Sequence, residues 1–393
     1  MSVAGFTSTG SKHPQLLFGT VSADVPVRMT SSHGCTIVGS DGRSYLDFLM
    51  ALGAVALGYG HDAVNRAAIE AVQQGSIGSL APAQEELLAG DIAQMMPGLE
   101  QVRFLKTGAE AAAAAVRLAR VITGRDRVLG CGYHGWLDWC SRSHGVPEAT
   151  RALFAEIPFN DAAQSVEMIH AAGGSLACVV LEPVIDAAPK VEWLAAVREA
   201  CHGIGALLVF DETKTAFRVS SGGAAQRWGV QPDLTIMGKA IANGFPLAAV
   251  GGRAELMCHV SDTWISSTMA TEWVALAAAR ATLRVMREQP VAAHLHLVGG
   301  MLLAGLQLLA DLHPALIERA SGIEEMCYLH YRDEDVSRRV ALACAERGLL
   351  LKRNAYNFVS LAHSAAEVST ALDILAEVLR EQEHALPPGR NGR

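Results

Sequence analysis

Two apolar runs end in the residues of this chain best equipped for chemistry, Ala206-Leu-Leu-Val-Phe-Asp211 and Asp233-Leu-Thr-Ile-Met-Gly-Lys239. Each reads as a buried strand that terminates in one charged side chain, a carboxylate in the first and an amine in the second. Open α/β sheets bind ligands at the C-terminal ends of their strands, so the two groups are expected at one crevice. An amine there can condense with an aldehyde, and a carboxylate can keep a heteroaromatic nitrogen protonated by charge proximity. Those are the requirements of a pyridoxal phosphate (PLP) enzyme, in which the protonated ring becomes an electron sink. Taken alone, Asp211-Glu212 is also compatible with metal ligation or a helix cap, and most lysines are solvated surface charges.

Two further segments carry groups suited to such a ligand. In Arg103-Phe-Leu-Lys-Thr107-Gly108-Ala109-Glu110, a hydroxyl-Gly-small turn separates a strand from an alanine-rich helix. Free N–H groups at that helix start, with the helix dipole behind them, suit a phosphate. An ordinary Thr N-cap is the alternative. In Cys131-Gly-Tyr133-His134-Gly135-Trp136, an aromatic side chain after a strand could stack on a flat ring, while glycine lets the backbone approach. Core packing explains Tyr133 equally well, and His134 alone reads as a structural histidine.

The elements that must position these groups alternate between helix and strand. Short β-rich runs occur at Gln101–Leu105, Arg127–Gly130, Leu176–Leu181, Ala206–Phe210, Leu234–Met237 and Ala248–Gly251, with helical patterns between them. That alternation predicts an α/β fold with a mostly parallel, doubly wound sheet. Residues 34–48 read as a hairpin around Asp41-Gly42. One or two long helices are expected from Thr271 to Leu309, followed by strands near Cys327–Tyr331, Leu349–Arg353 and Asn357–Leu361 in a smaller α+β domain. The expected division is an N-terminal segment 1–55 associated with the small domain, a large PLP-binding domain 56–285 and a C-terminal small domain 286–393.

Composition narrows the function classes. Half of the 393 residues are hydrophobic, 18% are charged, and the net charge of −8 gives no basic footprint for nucleic acid. The polar start Met-Ser-Val-Ala-Gly lacks the pattern of a secretory signal, and no membrane-spanning segment is expected. Eight cysteines are dispersed without a C-x-x-C pair, which argues against a disulfide framework or a structural metal and fits a reducing cytoplasm.

In combination, the motifs resemble a known family. Thr107-Gly-Ala-Glu-Ala, Arg117-Leu-Ala-Arg, Thr123-Gly-Arg, Tyr133-His-Gly, Leu181-Glu-Pro-Val, Asp211-Glu-Thr with Phe217-Arg218, Gly238-Lys239, Gly244-Phe-Pro-Leu and Gly251-Gly-Arg follow the order of class III aminotransferases. The resemblance runs from about residue 25 to 285, is nearest the glutamate-1-semialdehyde aminomutase branch, and implies PLP fold type I. Asn357-Phe-Val-Ser-Leu-Ala-His363 resembles the family's closing strand. The resemblance implies that Lys239 carries the cofactor as a Schiff base and shuttles protons, and that Asp211 faces the pyridine nitrogen. Thr107, Gly108 and Ala109 would contact the phosphate and Tyr133 would stack on the ring. His134, Glu182 and Thr213 fall at further cofactor positions. Thr268 matches a residue that reaches the phosphate of a neighbouring subunit, which implies a homodimer with composite sites. Pro26-Val27-Arg28 resembles a motif whose arginine pairs with a substrate carboxylate through its guanidinium fork; a solvated surface arginine is the alternative.

Several positions depart from the family pattern. The usual Ser-Gly-Thr is Thr107-Gly-Ala109, an apolar β-branched residue is replaced by Thr213 and followed by Lys214, and Asn-Pro is replaced by Glu272-Trp273. The stretch between Trp139 and Pro158 is shorter than in typical aminomutases, where an insert forms a gate. The leading expectation is an aminotransferase that passes an amino group from a donor to a small carbonyl acceptor through pyridoxamine phosphate, with specialised metabolism the setting these departures suggest. The alternatives are an intramolecular aminomutase and a catalytically silent PLP-binding partner.

Overall fold

The first strands of the computed structural model, which describes residues 2–20, 25–353 and 355–385, form an antiparallel meander. It comprises β1 (Met29–His33), β2 (Thr36–Gly39) and β3 (Ser44–Asp47). β2 and β3 are the expected hairpin; Gly42 turns it with φ +79, and the Asp41 carboxylate accepts the Arg43 N–H at 3.1 Å. β1 has no separate signal in the sequence.

The chain divides into two units, residues 62–292 and residues 1–61 with 293–393. The first holds the seven-stranded sheet: β4 (Gln101–Leu105), β5 (Arg127–Cys131), β6 (Phe154–Glu156), β7 (Leu176–Leu181), β8 (Leu207–Asp211), β9 (Leu234–Met237) and β10 (Ala248–Gly252). The spatial order is β4-β10-β9-β8-β7-β5-β6. The pairs from β6 through β9 are parallel, whereas β10 runs antiparallel to both β4 and β9.

Every residue of β7, Leu-Ala-Cys-Val-Val-Leu, is buried, as a parallel strand covered on both faces requires. Its side chains alternate between two cores. Cys178 and Val180 pack with the helix Gly108–Thr123, whose Ala111, Ala112, Ala115 and Ala119 let it lie close to the sheet. Val179 and Leu181 pack with Ile169 of the helix Ala162–Ala172 and with Trp193, Leu194 and Val197 of the helix Val191–Gly203. Both crossover helices start on side-chain-capped or extended residues; Asp161, for example, accepts the Gln164 N–H at 3.0 Å.

The alanine-rich stretch after Thr271 becomes two helices, Trp273–Glu288 and Val291–Leu312. The second corrects the expectation that no segment is long and apolar enough to span a membrane, since its mean hydropathy reaches 1.6. Val291, Leu295, Val298, Leu302, Leu306 and Leu309 are buried along it at spacings of three and four, which marks a core-facing helix stripe. Gly299 is required there, because a Cβ would lie 1.8 Å from the Glu324 carbonyl oxygen.

In the unit that contains the chain ends, β11 (Ile317–Ile323), β12 (Met326–Tyr331) and β14 (Asn357–Phe358) form a three-stranded sheet, and β13 (Leu349–Leu350) runs parallel to β3. Helices Glu334–Glu346 and Ala365–His384 complete it. β13 is shorter than the run Leu349–Arg353 because the Lys352 N–H donates to the Asn357 side chain at 2.7 Å instead of to a ladder. β14 ends early for a similar reason: the Ser360 N–H and hydroxyl both engage His363 Nδ1, which turns the chain.

Candidate active site

Asp211 stands at the end of β8 and is 3% exposed. Its Oδ2 lies 2.9 Å from His134 Nδ1, and its Oδ1 accepts the Thr213 N–H at 3.1 Å and the Thr213 hydroxyl at 2.6 Å. Burial alone would raise its pKa, but the bond and charge of His134 and the two Thr213 donors outweigh burial and hold the carboxyl below its ordinary range. Asp211 is therefore an anion fixed in position. His134, 4% exposed, follows β5 and stacks on Trp139 with ring centroids 6.0 Å apart.

Glu212 serves the scaffold. It is fully buried and accepts the N–H groups of Ala224 and Ala225 at the start of the helix Gly223–Trp228, together with the Thr215 hydroxyl. Burial raises its pKa to about 7. Asp233 likewise ties strands together, accepting the Leu208 N–H at 2.8 Å.

Lys239 follows β9 through Gly238 and has φ +45, a left-handed conformation uncommon for a residue with a Cβ. Strain of this kind concentrates at functional sites. The residue as a whole is only partly buried, yet its amine lies deep enough that burial lowers its pKa to about 8. The charge of Lys214 lowers it further, Glu182 and Asp211 oppose the change, and Arg218 adds to it.

The helix Gly108–Thr123 opens on a capping box. The Thr107 hydroxyl accepts the Glu110 N–H at 3.2 Å, and the Glu110 carboxylate accepts the Thr107 N–H at 2.9 Å. The Thr N-cap reading is thus realised, and it leaves the N–H groups of Gly108 and Ala109 leading the helix without an acceptor inside it. Thr213 joins this turn to Lys239. A Cβ on Gly108 would lie 3.2 Å from Thr213, and one on Gly238 would lie 3.3 Å from it. The helix start, the Asp211 loop and the Lys239 turn therefore converge on one side chain. Gly135 closes over Ala109, where a Cβ would meet the Ala109 Cβ at 2.5 Å.

Glu182, which follows β7, is 5% exposed. One oxygen accepts the Tyr133 N–H at 2.9 Å and the other lies 2.9 Å from Lys214 Nζ. Tyr133 itself is 71% exposed, so its ring is free of core packing. Thr268 is exposed in the short helical turn Thr268–Thr271. Arg28 belongs to the other unit, where its guanidinium lies 3.5 Å from the Phe6 ring and donates to the Phe6 carbonyl at 3.0 Å.

Two ion pairs were not anticipated from the sequence. Lys214 with Glu182 is one; the other joins Lys106 to Glu272 at 2.8 Å. Glu272 also caps the helix Trp273–Glu288, accepting the Val274 N–H at 2.6 Å, which explains how a glutamate can replace the usual residues there. Their partners are 32 and 166 residues apart, and the replacement of expected residues at 214 and 272 was the only available signal.

The residues present fit PLP. A shielded amine, a fixed carboxylate and an uncapped pair of helix N–H groups meet where Gly108, Gly132, Gly135 and Gly238 allow close approach of neighbouring segments.

Comparison with known proteins agrees with this geometry. The sequence pattern of the family described as aminotransferase class-III matches residues 18–379. Glutamate-1-semialdehyde 2,1-aminomutase of Roseiflexus castenholzii is 34% identical over 403 residues, covering 93% of this chain and 92% of that protein. The FumI protein of Sphingopyxis sp. MTA144, solved with PLP, superposes with a TM-score of 0.90 at 27% identity, covering 97% of this chain and 94% of that one. A β-phenylalanine aminotransferase from Variovorax paradoxus gives a TM-score of 0.85 at 26% identity over 98% and 92% of the two chains. A buried acid and a shielded lysine on adjacent strands, joined by one threonine to an open helix start, thus sit in a chain that belongs to the class-III aminotransferases, a family of PLP-dependent enzymes.

Proposed function

We propose that this protein is an aminotransferase that moves an amino group between an amino donor and a small carbonyl acceptor. When bound, PLP supplies a carbonyl for the donor amine and a ring that delocalises the electrons released at the substrate α-carbon. Lys239 would hold the cofactor through its amine, and that amine is the base placed to move the proton at the substrate α-carbon. Asp211, kept anionic by His134 and Thr213, would stand by the ring nitrogen and favour its protonated form. The N–H groups of Gly108 and Ala109 hold the phosphate with the helix dipole behind them. Tyr133 covers the ring, and Thr213 and Glu182 fix its surroundings. Arg28 serves a substrate carboxylate.

The observation that carries this reading is the convergence of the Thr107–Ala109 turn, Asp211 and Lys239 about Thr213. A homodimer with composite sites is part of the proposal. Leu80, Trp136, Trp264 and Met269 are 57 to 86% exposed, and Met269 adjoins Thr268, the residue assigned to the neighbouring subunit's phosphate. Large exposed apolar side chains of this kind mark interaction surfaces. Function in the cytoplasm accords with the eight free thiols.

An intramolecular aminomutase is the second reading, favoured by the name of the 34% identical relative. The transferase is preferred because the connection between Trp139 and Pro158 holds only the one-turn helix Glu148–Arg151 and β6, leaving little chain for a gate.

The test is the visible spectrum of the purified protein with PLP, challenged with a panel of amino donors beside Lys239→Ala. Loss of the Lys239-dependent band with one donor, with release of its keto acid, is the expected result. A band that responds only to a diamine or amino-aldehyde, without keto acid, selects the mutase. No response to any donor, despite a Lys239-dependent band, selects a silent partner. No such band at all refutes the PLP reading.

A further inference from the structure

Three helices of the 62–292 unit enclose a cavity of about 390 Å³ that shares no residue with the site described above. The helix Asp62–Gln73 contributes Arg66, Ala67 and Glu70, and the helix Trp273–Glu288 contributes Arg280, Ala281, Arg284 and Arg287. Spacings of three and four put each set on a single helix face. Asp91 joins them from the helix Ala83–Met95. Alanine at 67 and 281 leaves the space between the helices unfilled, so the longer charged side chains bound it.

Four guanidinium groups and two carboxylates line this groove, a local excess of two positive charges in a chain whose net charge is −8. Two of the four arginines have a task. Asp91, 9% exposed, accepts from Arg280 Nε at 3.0 Å and from Arg287 at 2.8 Å, which fixes both. Arg66 and Arg284 are exposed and make no hydrogen bond or ion pair among the described residues. Arg284 stands four residues from Arg280, a like-charge spacing that destabilises a bare helix, and Arg66 adds a third guanidinium from another helix. Glu70 can offset one of these charges but not all of them. A single surface arginine is a solvated charge, whereas four that line one cavity form a field that an anion relieves.

We propose that this groove binds a small polyanion carrying phosphoryl or carboxylate groups, with Arg66 and Arg284 as its main contacts and the Asp91-anchored Arg280 and Arg287 as a fixed electropositive wall. The guanidinium fork matches both kinds of oxyanion in bidentate geometry. Small-molecule sites span about 300 to 1,000 Å³, so the cavity suits a compact ligand with more than one charged group. None of Thr107, Asp211 and Lys239 lines it, so the inference goes beyond the transfer reaction and stands independently of it.

The experiment is isothermal titration calorimetry of the protein supplied with PLP, using inorganic pyrophosphate and citrate as probes. One saturable site per chain is expected for at least one probe, with affinity that falls as sodium chloride is added. The tighter probe identifies the oxyanion type. Arg66→Gln and Arg284→Gln are each expected to weaken binding by about tenfold, as loss of a charge-assisted hydrogen bond does. Glu70→Gln removes an anion from the groove and is expected to tighten binding, a shift that loss of structure would not produce. Arg319→Gln, at an exposed arginine of the other unit, is expected to bind like the parent. Failure of both probes to bind saturably overturns the inference. Binding that is indifferent to Arg66→Gln and Arg284→Gln overturns it as well, and marks an adventitious ion only.

Discussion

Replacing Gly132 with alanine is expected to damage the crevice through Glu182. Gly132 has φ +106, and a Cβ there would lie 2.6 Å from Glu182 Oε2 and 2.8 Å from its Cγ. Gly145 is the natural control, with φ +93 and nothing within 4 Å of the added atom. Both variants carry the backbone penalty of an L-residue in the left-handed region, about 1 to 2 kcal/mol. Only Gly132→Ala must also displace Glu182 from the Tyr133 N–H and from Lys214, each at 2.9 Å. Loss of a hydrogen bond to a charged group costs about 1.5 to 3 kcal/mol, so losing even one of the two contacts should destabilise Gly132→Ala by roughly 2.5 to 5 kcal/mol in all. All six tryptophans, at positions 136, 139, 193, 228, 264 and 273, fall within the 62–292 unit that contains both glycines. Tryptophan fluorescence during urea unfolding therefore reports on the relevant unit. A difference between the two variants under about 0.5 kcal/mol would show that Glu182 is not held as described.

Asp211→Asn keeps a hydrogen-bonding side chain beside His134 but removes the anion; a carboxylate beside a ring cation is worth about one to three pH units. The donor half-reaction should slow by about 10- to 1000-fold while the Lys239-dependent band still forms, and stopped-flow absorbance checks this. His363 is depressed from its ordinary 6.5 to about 4, by burial above all. The unfolded chain binds the extra proton first, so stability is complete above 6.5 and falls as pH drops toward about 4, by roughly 3 kcal/mol in total. Urea midpoints by circular dichroism should therefore fall between pH 7 and pH 5 in the parent, and this decline should be absent in His363→Gln.

The strand ends that position Asp211 and Lys239 were legible because a continuous apolar run bounded by charge has few readings other than a buried strand. The direction of β10 was not legible, since Ala-Ala-Val-Gly-Gly carries no signal that distinguishes an antiparallel strand from a parallel one. β6 was missed because three residues show no usable period. The length of the apolar stretch in helix Val291–Leu312 was legible but overlooked, since residues 291–310 carry no Asp, Glu, Lys, Arg or Pro. The site's electrostatics were legible one residue at a time but not in their pairings. His134 and Asp211 are 77 residues apart, and Lys106 and Glu272 are 166 apart, so only the folded chain shows that they meet.

The reversed strand also governs when the site can come into being. β10 lies between β4 and β9, with Ala248 opposite Leu105 and Ala249 opposite Met237. The Thr107–Ala109 turn follows β4, and Lys239 sits on the connection into β10, so one late strand unites two halves of the candidate site encoded more than a hundred residues apart. Contacts of such sequence separation form slowly and late. During synthesis the helix start at Gly108 is therefore made long before the strand that brings it beside the lysine has emerged. A chain interrupted before residue 248 would carry both Asp211 and Lys239 without the strand that pairs with both β4 and β9.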